Sequence, residues 1–449
     1  MVSESTHIDE VNQLLITLVQ NKCINPPGTE LRSIRTIENH LKQRNIPCKV
    51  IETAPDRGNL IAEIKGENAG SSLMFGPSHV DVVPIGNKSA WEVDPFSGII
   101  KDEHIWGRGT LDMLFIVATQ VQAFARLFEE GFKPKSDLKL CIVADEEAGG
   151  IFGTEWLMKH QPDFMSVDYA LSEAGGIPIA PGRLLLGIGE KGAAWKRVSF
   201  KGTPTHGSMP YKSDNAVIKA AIAAERLNKY TPPINLDYIK LMANGLGLSK
   251  ITQLMLSHRI FLPLVLKMAH KRNPVMARLL HALSRMTISP NIVHGGTKTN
   301  IVAGEAYLDV DIRILPNQDD DFVVKHLRKA MGEMGKEAII ERPPDQPGFF
   351  TSEGTASDPN SEIVPFMCKA VAEVYPNAQF VPLIVAGATD LRYLRERGTQ
   401  AYGFSLFDPE TPLNTMATLP HGPNERISLK TVEYSLMAYY NLAKEFLNQ

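Results

Sequence analysis

The chain has 449 residues, with 47 Lys and Arg against 50 Asp and Glu for a formal charge of -3, and it is 43% hydrophobic and 22% charged. That balance excludes a disordered chain and a strongly basic nucleic-acid binder, while four cysteines without C-x-x-C pairing (Cys23, Cys48, Cys141, Cys368) exclude a disulfide scaffold and a Cys-rich zinc module. Histidines and carboxylates remain as possible ligands. At the N-terminus, acidic residues stand where a secretory signal would be basic, so the expected compartment is the cytoplasm. Ile8, Val11, Leu14, Leu15, Leu18 and Val19 recur at helical intervals behind Thr6 and Asp9, which predicts an amphipathic first helix opened by a capping box.

From about Leu60 to Ser172, short apolar runs (LIAEI at 60–64, LMFG at 73–76, LKLCIVA at 138–144, DYALS at 168–172) alternate with helical patterns at 116–130 and 151–160. Alternation of this kind predicts βαβ units and a mostly parallel sheet with helices on both faces. A second character begins near Lys191. There, WKRVSFKG reads as a half-buried strand, residues 215–227 as a helix, and EAYLDVDIRIL at 305–315 as a strand with one apolar face. Between them, residues 231–290 are apolar and helix-like, with Lys267, Lys271, Arg272, Arg278 and Arg285 giving a basic flavour. The reading is a helical hairpin packed on itself with a solvated basic face, preferred to a membrane role. Its longest greasy stretch, 260–269, falls far short of the roughly 20 residues that span a bilayer. After residue 348 the α/β character returns, with strands expected at 381–390 and 400–407.

Five segments place acids and histidines directly after apolar runs: SHVDVVP with His79 and Asp81, GRGTLDM with Asp112, ADEEAGG with Glu146 and Glu147, LSEAGG with Glu173, and LPHGPNE with His421. Positions 79, 112, 147 and 173 are spaced by 33, 35 and 26 residues, each close to the roughly 30 residues of one strand-crossover-strand unit. Successive acids can therefore recur at the carboxyl edge of neighbouring strands, where open α/β sheets bind ligands. His421 lies 248 residues beyond Glu173 and can return to that edge if the intervening small domain is an insertion. Five ligands suit two metals about 3.5 to 4 Å apart with a carboxylate shared between them.

The order and wording of these segments, from the W-x-x-D-P-F run at 91–96 through GRGTLDM to PHGPNE, resemble the M20 family of metallopeptidases and amidohydrolases. The resemblance implies an α/β fold in which a three-layer catalytic domain with a dinuclear metal site, at 1–190 and 349–449, is interrupted by a smaller α+β lid or dimerisation domain at 191–348 carrying the helical insertion at about 231–290. It implies His79 and Glu173 as ligands of one zinc, Glu147 and His421 of the other, and Asp112 as the bridge. Zinc is the expected metal, with cobalt or manganese as alternatives. Asp81 would hold the His79 ring, Glu146 would be the general base of a metal-assisted amide hydrolysis, and His206 in TPTHGSMP would reach across a homodimer interface to stabilise the oxyanion. Asn300, Arg313 and Gly387 would receive a substrate carboxylate, which the planar fork of Arg matches. Many family members have Lys two residues after the bridging Asp, where this chain has Leu114.

The expected substrates are small peptides or N-acyl amino acids with a free carboxylate, with a carboxypeptidase or dipeptidase slightly preferred to an N-acyl-amino-acid deacylase. A catalytically silent assembly protein is the alternative from another class, and retention of all five ligands and the base argues against it. Nucleic acid and membrane are not expected as partners, given the charge of -3 and no aromatic interleaving in the basic segment.

Overall fold

The computed structural model describes residues 4–449 except 68, 345–350, 413, 414, 416 and 417. Leu73–His79, Leu138–Val143 and Tyr169–Ser172 are buried at every position, as strands covered on both faces must be. Alternate residues of one strand enter different cores. Leu73, Phe75, Leu140 and Ile142 pack with the helices Glu4–Gln20, Phe115–Glu129 and Leu429–Phe446, whereas Met74, Cys141 and Val143 meet Leu157, Met165 and Leu391 on the other side. Helix, sheet and helix thus make three layers.

In the ten-stranded sheet the order runs Cys48–Ala54, Arg57–Ile64, Leu138–Val143, Leu73–His79, Tyr169–Ser172, Gln400–Gly403, Arg183–Glu190. Its central strands, 138–143, 73–79, 169–172 and 400–403, are mutually parallel. Gln379–Val385 runs parallel to Arg183–Glu190, and pairs toward the 48–54 edge are antiparallel. Parallel neighbours end at the same edge, which fixes where His79 and the residues after Val143 and Ser172 emerge. The helix Phe115–Glu129 belongs to the one stretch among the described residues long and apolar enough to cross a membrane, Thr110–Glu129, but it is a core helix and 83% buried. Leu114 is buried at its start.

A second, six-stranded sheet is antiparallel throughout, with Glu305–Ile314 pairing Thr287–Gly295 on one side and Lys196–Lys201 on the other. The helices Ala216–Lys229 and Asp320–Met331 supply Ala220, Leu227, Val323 and Leu327 to its own core with Val198, Leu308 and Ile312. The helical segment consists of Asp237–Gly245, Lys250–Leu256, Leu262–Arg272 and Pro274–Leu283. It is not packed only on itself. Its Ile239, Met242, Leu262, Leu280 and Leu283 join the large core, and a Cβ on Gly245 would stand 3.1 Å from Val381 of the large sheet.

Three local expectations shift. The first helix already includes Glu4, so Thr6 lies inside it rather than capping it. The strand expected at 381–390 ends at Val385 and leaves GATD as a loop; the one at 400–407 ends at Gly403. Phe404 to Phe407 stay buried after leaving the ladder and Thr389 and Asp390 are buried again beyond the exposed Ala386 and Gly387, so apolar pattern alone overextends both runs.

Candidate metal centre

At the carboxyl edge, His79 closes its strand, Glu146 and Glu147 form a tight turn after Leu138–Val143, and Glu173 follows Tyr169–Ser172. Asp112 stands in the turn Thr110–Leu114 that leads into the core helix. His421 arrives because Arg426–Ser428 pairs antiparallel with His104–Trp106, folding a distant segment beside the Asp112 turn. Asp145, Ala174 and His421 have φ of 74, 69 and 60 degrees. Left-handed backbone at non-glycine residues costs on the order of 1–3 kcal/mol each and concentrates at functional sites.

Donor atoms of His79, Asp112 and Glu173 lie within 4.8 Å of one another, as do those of Asp112, Glu147 and His421. Asp112 belongs to both trios: one carboxylate oxygen is 3.3 Å from His79 Nε2 and the other 3.1 Å from His421 Nε2. His421 Nε2 is also 3.3 Å from Glu147 Oε1. His79 Nδ1 faces the backbone carbonyl of Asp81 at 3.0 Å, so it is the donor and Nε2 presents its lone pair to the cluster. His79 Nε2 and Glu147 Oε1 are buried without a hydrogen-bond partner among the described residues. Buried polar atoms are normally satisfied, and two orphans within two sets of imidazole and carboxylate donors fit a pair of divalent cations.

The electrostatics point the same way. Burial and then the charge of Glu173 push Glu146 well above the usual carboxylate range, and burial and then Asp112 do the same for Glu173. Burial opposes ionisation of Asp112 too, but His421 and His79 hold it below its ordinary value. Asp112 and then Glu147, both facing its ring, lift His421 to about 10. For His79 burial works downward, yet Asp112 and Asp81 raise it well above normal. Such crowding of anions calls for positive charge in their midst. Glu146, 8% exposed, makes no hydrogen bond through its carboxylate among the described residues; its Oε2 is 3.9 Å from His79 Nε2.

Around this cluster Asp81 does more than the sequence implied, and Asn25, Arg57, Arg392, Tyr393 and Glu425 join it without having been singled out there. The Asp81 carboxylate accepts from the backbone N–H of Glu146 (3.2 Å) and of Glu147 (3.1 Å) and from Asn25 (2.8 Å), so it grips the turn that carries the pair as well as lying 3.5 Å from the His79 ring. Arg57 pairs with Asp145 at 2.7 Å and with Glu30, behind the same turn. On its other side, Arg392 and Tyr393 donate to the Gly149 carbonyl at 3.2 and 2.8 Å. Glu425 accepts from Arg108 (2.6 Å) and from the N–H groups of Gly109, Leu111 and Asp112, while Arg108 also donates to the His421 carbonyl. Only the position of Glu425 in PHGPNE, four residues after His421, could have drawn notice.

His206, Asn300, Arg313 and Gly387 are placed elsewhere. His206 is exposed and hydrogen-bonds Ser208, and its loop pairs with that of Asn300 through Gly207 N–H to the Asn300 carbonyl at 2.8 Å. Arg313 is held by Asp311 at 2.8 Å. Gly387 is exposed, and a Cβ there would meet open space. Among the described residues no hydrogen bond or ion pair joins these four to the carboxylate cluster.

Imidazoles and carboxylates, gathered where parallel strands end and short of cation partners, define the site of a metallohydrolase acting on amide bonds. The chain belongs to Peptidase family M20/M25/M40, whose model matches residues 77–445. Among relatives, "Probable carboxypeptidase S-like 2" of Dictyostelium discoideum is 26% identical over 406 residues, 86% of this chain and 74% of that one. "Aminoacylase-1" of Mus musculus is 26% identical over 400 residues, 88% and 85% of the two chains. A solved M20 family metallo-carboxypeptidase from Sulfolobus solfataricus shares the fold with a TM-score of 0.72 at 18% identity, over 98% of this chain and 99% of that one.

Proposed function

We propose that this hydrolase holds two Zn2+ ions, one by His79, Asp112 and Glu173 and the other by Asp112, Glu147 and His421, and cleaves the amide bond of a small substrate bearing a free carboxylate. The observation that carries the reading is Asp112 facing both imidazoles beside a buried carboxylate, Glu146, that no hydrogen bond among the described residues engages. When bound, such ions supply Lewis acidity that acidifies water and polarises a carbonyl. Glu146 takes the proton of the attacking water and then delivers it to the departing amine. Its burial beside Glu173 raises its affinity for a proton and so favours the first transfer.

Arg313, Asn300 and Gly387 are proposed to receive the substrate carboxylate, and exposed His206 to serve the site of a second copy in a homodimer. Four unpaired cysteines support a reducing, cytoplasmic setting. We prefer a carboxypeptidase or dipeptidase, in keeping with the carboxypeptidase-like relative; the aminoacylase relative favours an N-acyl-amino-acid deacylase as the second reading. A zinc-reconstituted screen of dipeptides against N-acetyl and long-chain N-acyl amino acids, read by amine release, separates the two. In the same assay Glu146→Gln is expected to lower kcat by roughly 100-fold or more with metal content unchanged; an undiminished kcat would remove Glu146 from its role.

A further inference from the structure

The helices Lys250–Leu256 and Leu262–Arg272 leave one side uncovered among the described residues. Ile251 is 73% exposed, Leu254 63%, Ile260 75%, Leu264 52% and Met268 50%. Lys250, Arg259, Lys267, Lys271, Arg272 and Arg278 are exposed on the same three-helix stretch, and none is in an ion pair among the described residues. Helical spacing puts Leu264, Lys267, Met268 and Lys271 on one arc, with Ile260 exposed in the turn just before the helix, so apolar and basic side chains interleave rather than segregate. Beside it, Leu266, Ala277 and Ala282 line a groove together with Lys267, Lys271 and Arg278.

Charge sorts the possible occupants. Residues 238–304 contain nine Lys and Arg and no Asp or Glu, in a chain whose total is -3, so the remaining residues carry -12, the difference between -3 and +9. A second copy docking through this face would set like charges against each other. A nucleic acid would answer the lysines but leave Ile260, Leu264 and Met268 in water, with Phe261 the one Phe, Tyr or Trp ring of residues 250–283 to stack on bases. An anionic bilayer answers both: its phosphates meet the Lys and Arg heads while their stems and the Ile, Leu and Met side chains lodge at the acyl boundary. We propose that this face docks the enzyme on anionic lipid headgroups at a membrane surface. The opposite side of the same helices is fixed in the large core through Leu256, Leu262 and Leu280, so docking needs no unfolding.

The experiment is flotation of the full, zinc-loaded chain with vesicles of phosphatidylcholine alone or mixed with phosphatidylglycerol. Binding to the mixed vesicles only, weakened by salt, is expected. Lys267→Glu/Lys271→Glu and Leu264→Ser/Met268→Ser should each lower the bound fraction roughly tenfold or more and leave hydrolysis of a small soluble substrate unchanged. Phe261→Trp keeps the idea testable if a double variant folds poorly: its emission should shift to the blue on mixed vesicles alone. No binding to mixed vesicles at low salt, or binding that both double variants retain, overturns the proposal. So does concentration-dependent self-association lost in Leu264→Ser/Met268→Ser, or tighter binding to a DNA oligonucleotide than to vesicles.

Discussion

Glu146 and Glu147 are adjacent in the chain, yet their chemistry differs because the turn aims them differently. Glu147 faces the His421 imidazole, whereas Glu146 meets no hydrogen-bond donor among the described residues. The pair was conspicuous in the sequence, since two acids followed by two glycines after an apolar strand are hard to explain on a surface. The full task of Asp81 was not, because the bonds that the backbone N–H groups of the pair donate to its carboxylate leave no mark on residue type. Another residue invisible to pattern is His40, wedged against Gln122 at 2.8 Å. Burial, then Arg44, lowers it from 6.5 to about 4. A lowered value means the folded state binds the proton less readily than the unfolded one. Stability is therefore complete above pH 6.5 and is lost as pH falls toward 4, by at most about 3 kcal/mol. Urea titrations across that window should show the loss, and His40→Gln should flatten it.

Among the elements, the small sheet joining 104–106 to 426–428 does what no single motif could: it delivers His421 to Asp112. Glu425 clamps the join, buried against Arg108 and three backbone N–H groups. Glu425→Gln keeps the volume but removes the charge that Arg108 faces, so zinc affinity is expected to fall by roughly 10–100-fold. Competition with a fluorescent chelator measures it, and unaltered affinity would reduce Glu425 to a packing residue. The central strands were legible because burial on both faces writes continuous apolar runs. Where those runs leave the ladder was not, since Ala388 to Asp390 and Phe404 to Phe407 stay partly or wholly buried as loop. The helical insertion was legible as helix but not in its partner: apolar periodicity shows that a face is covered and not which core covers it.

On the scale of the whole molecule, the sum of -3 hid a division between a basic helical face and an acidic remainder. Net charge sets solubility and long-range steering, while local distribution decides what docks where. The same view gives an expectation for metal removal. Asp112, Glu146, Glu147 and Glu173 repel one another across a buried cleft when no cation intervenes. Stripping with a chelator should lower the melting temperature, and zinc at a hundredfold excess over Kd should restore about 2.7 kcal/mol; calorimetry with and without zinc checks both. Asp112 has one further consequence. Because its two oxygens serve separate trios, filling one trio alters the charge and orientation of a ligand in the other. Linkage makes that influence equal in both directions, so loading should follow a two-step isotherm with unequal constants rather than that of two identical, independent sites.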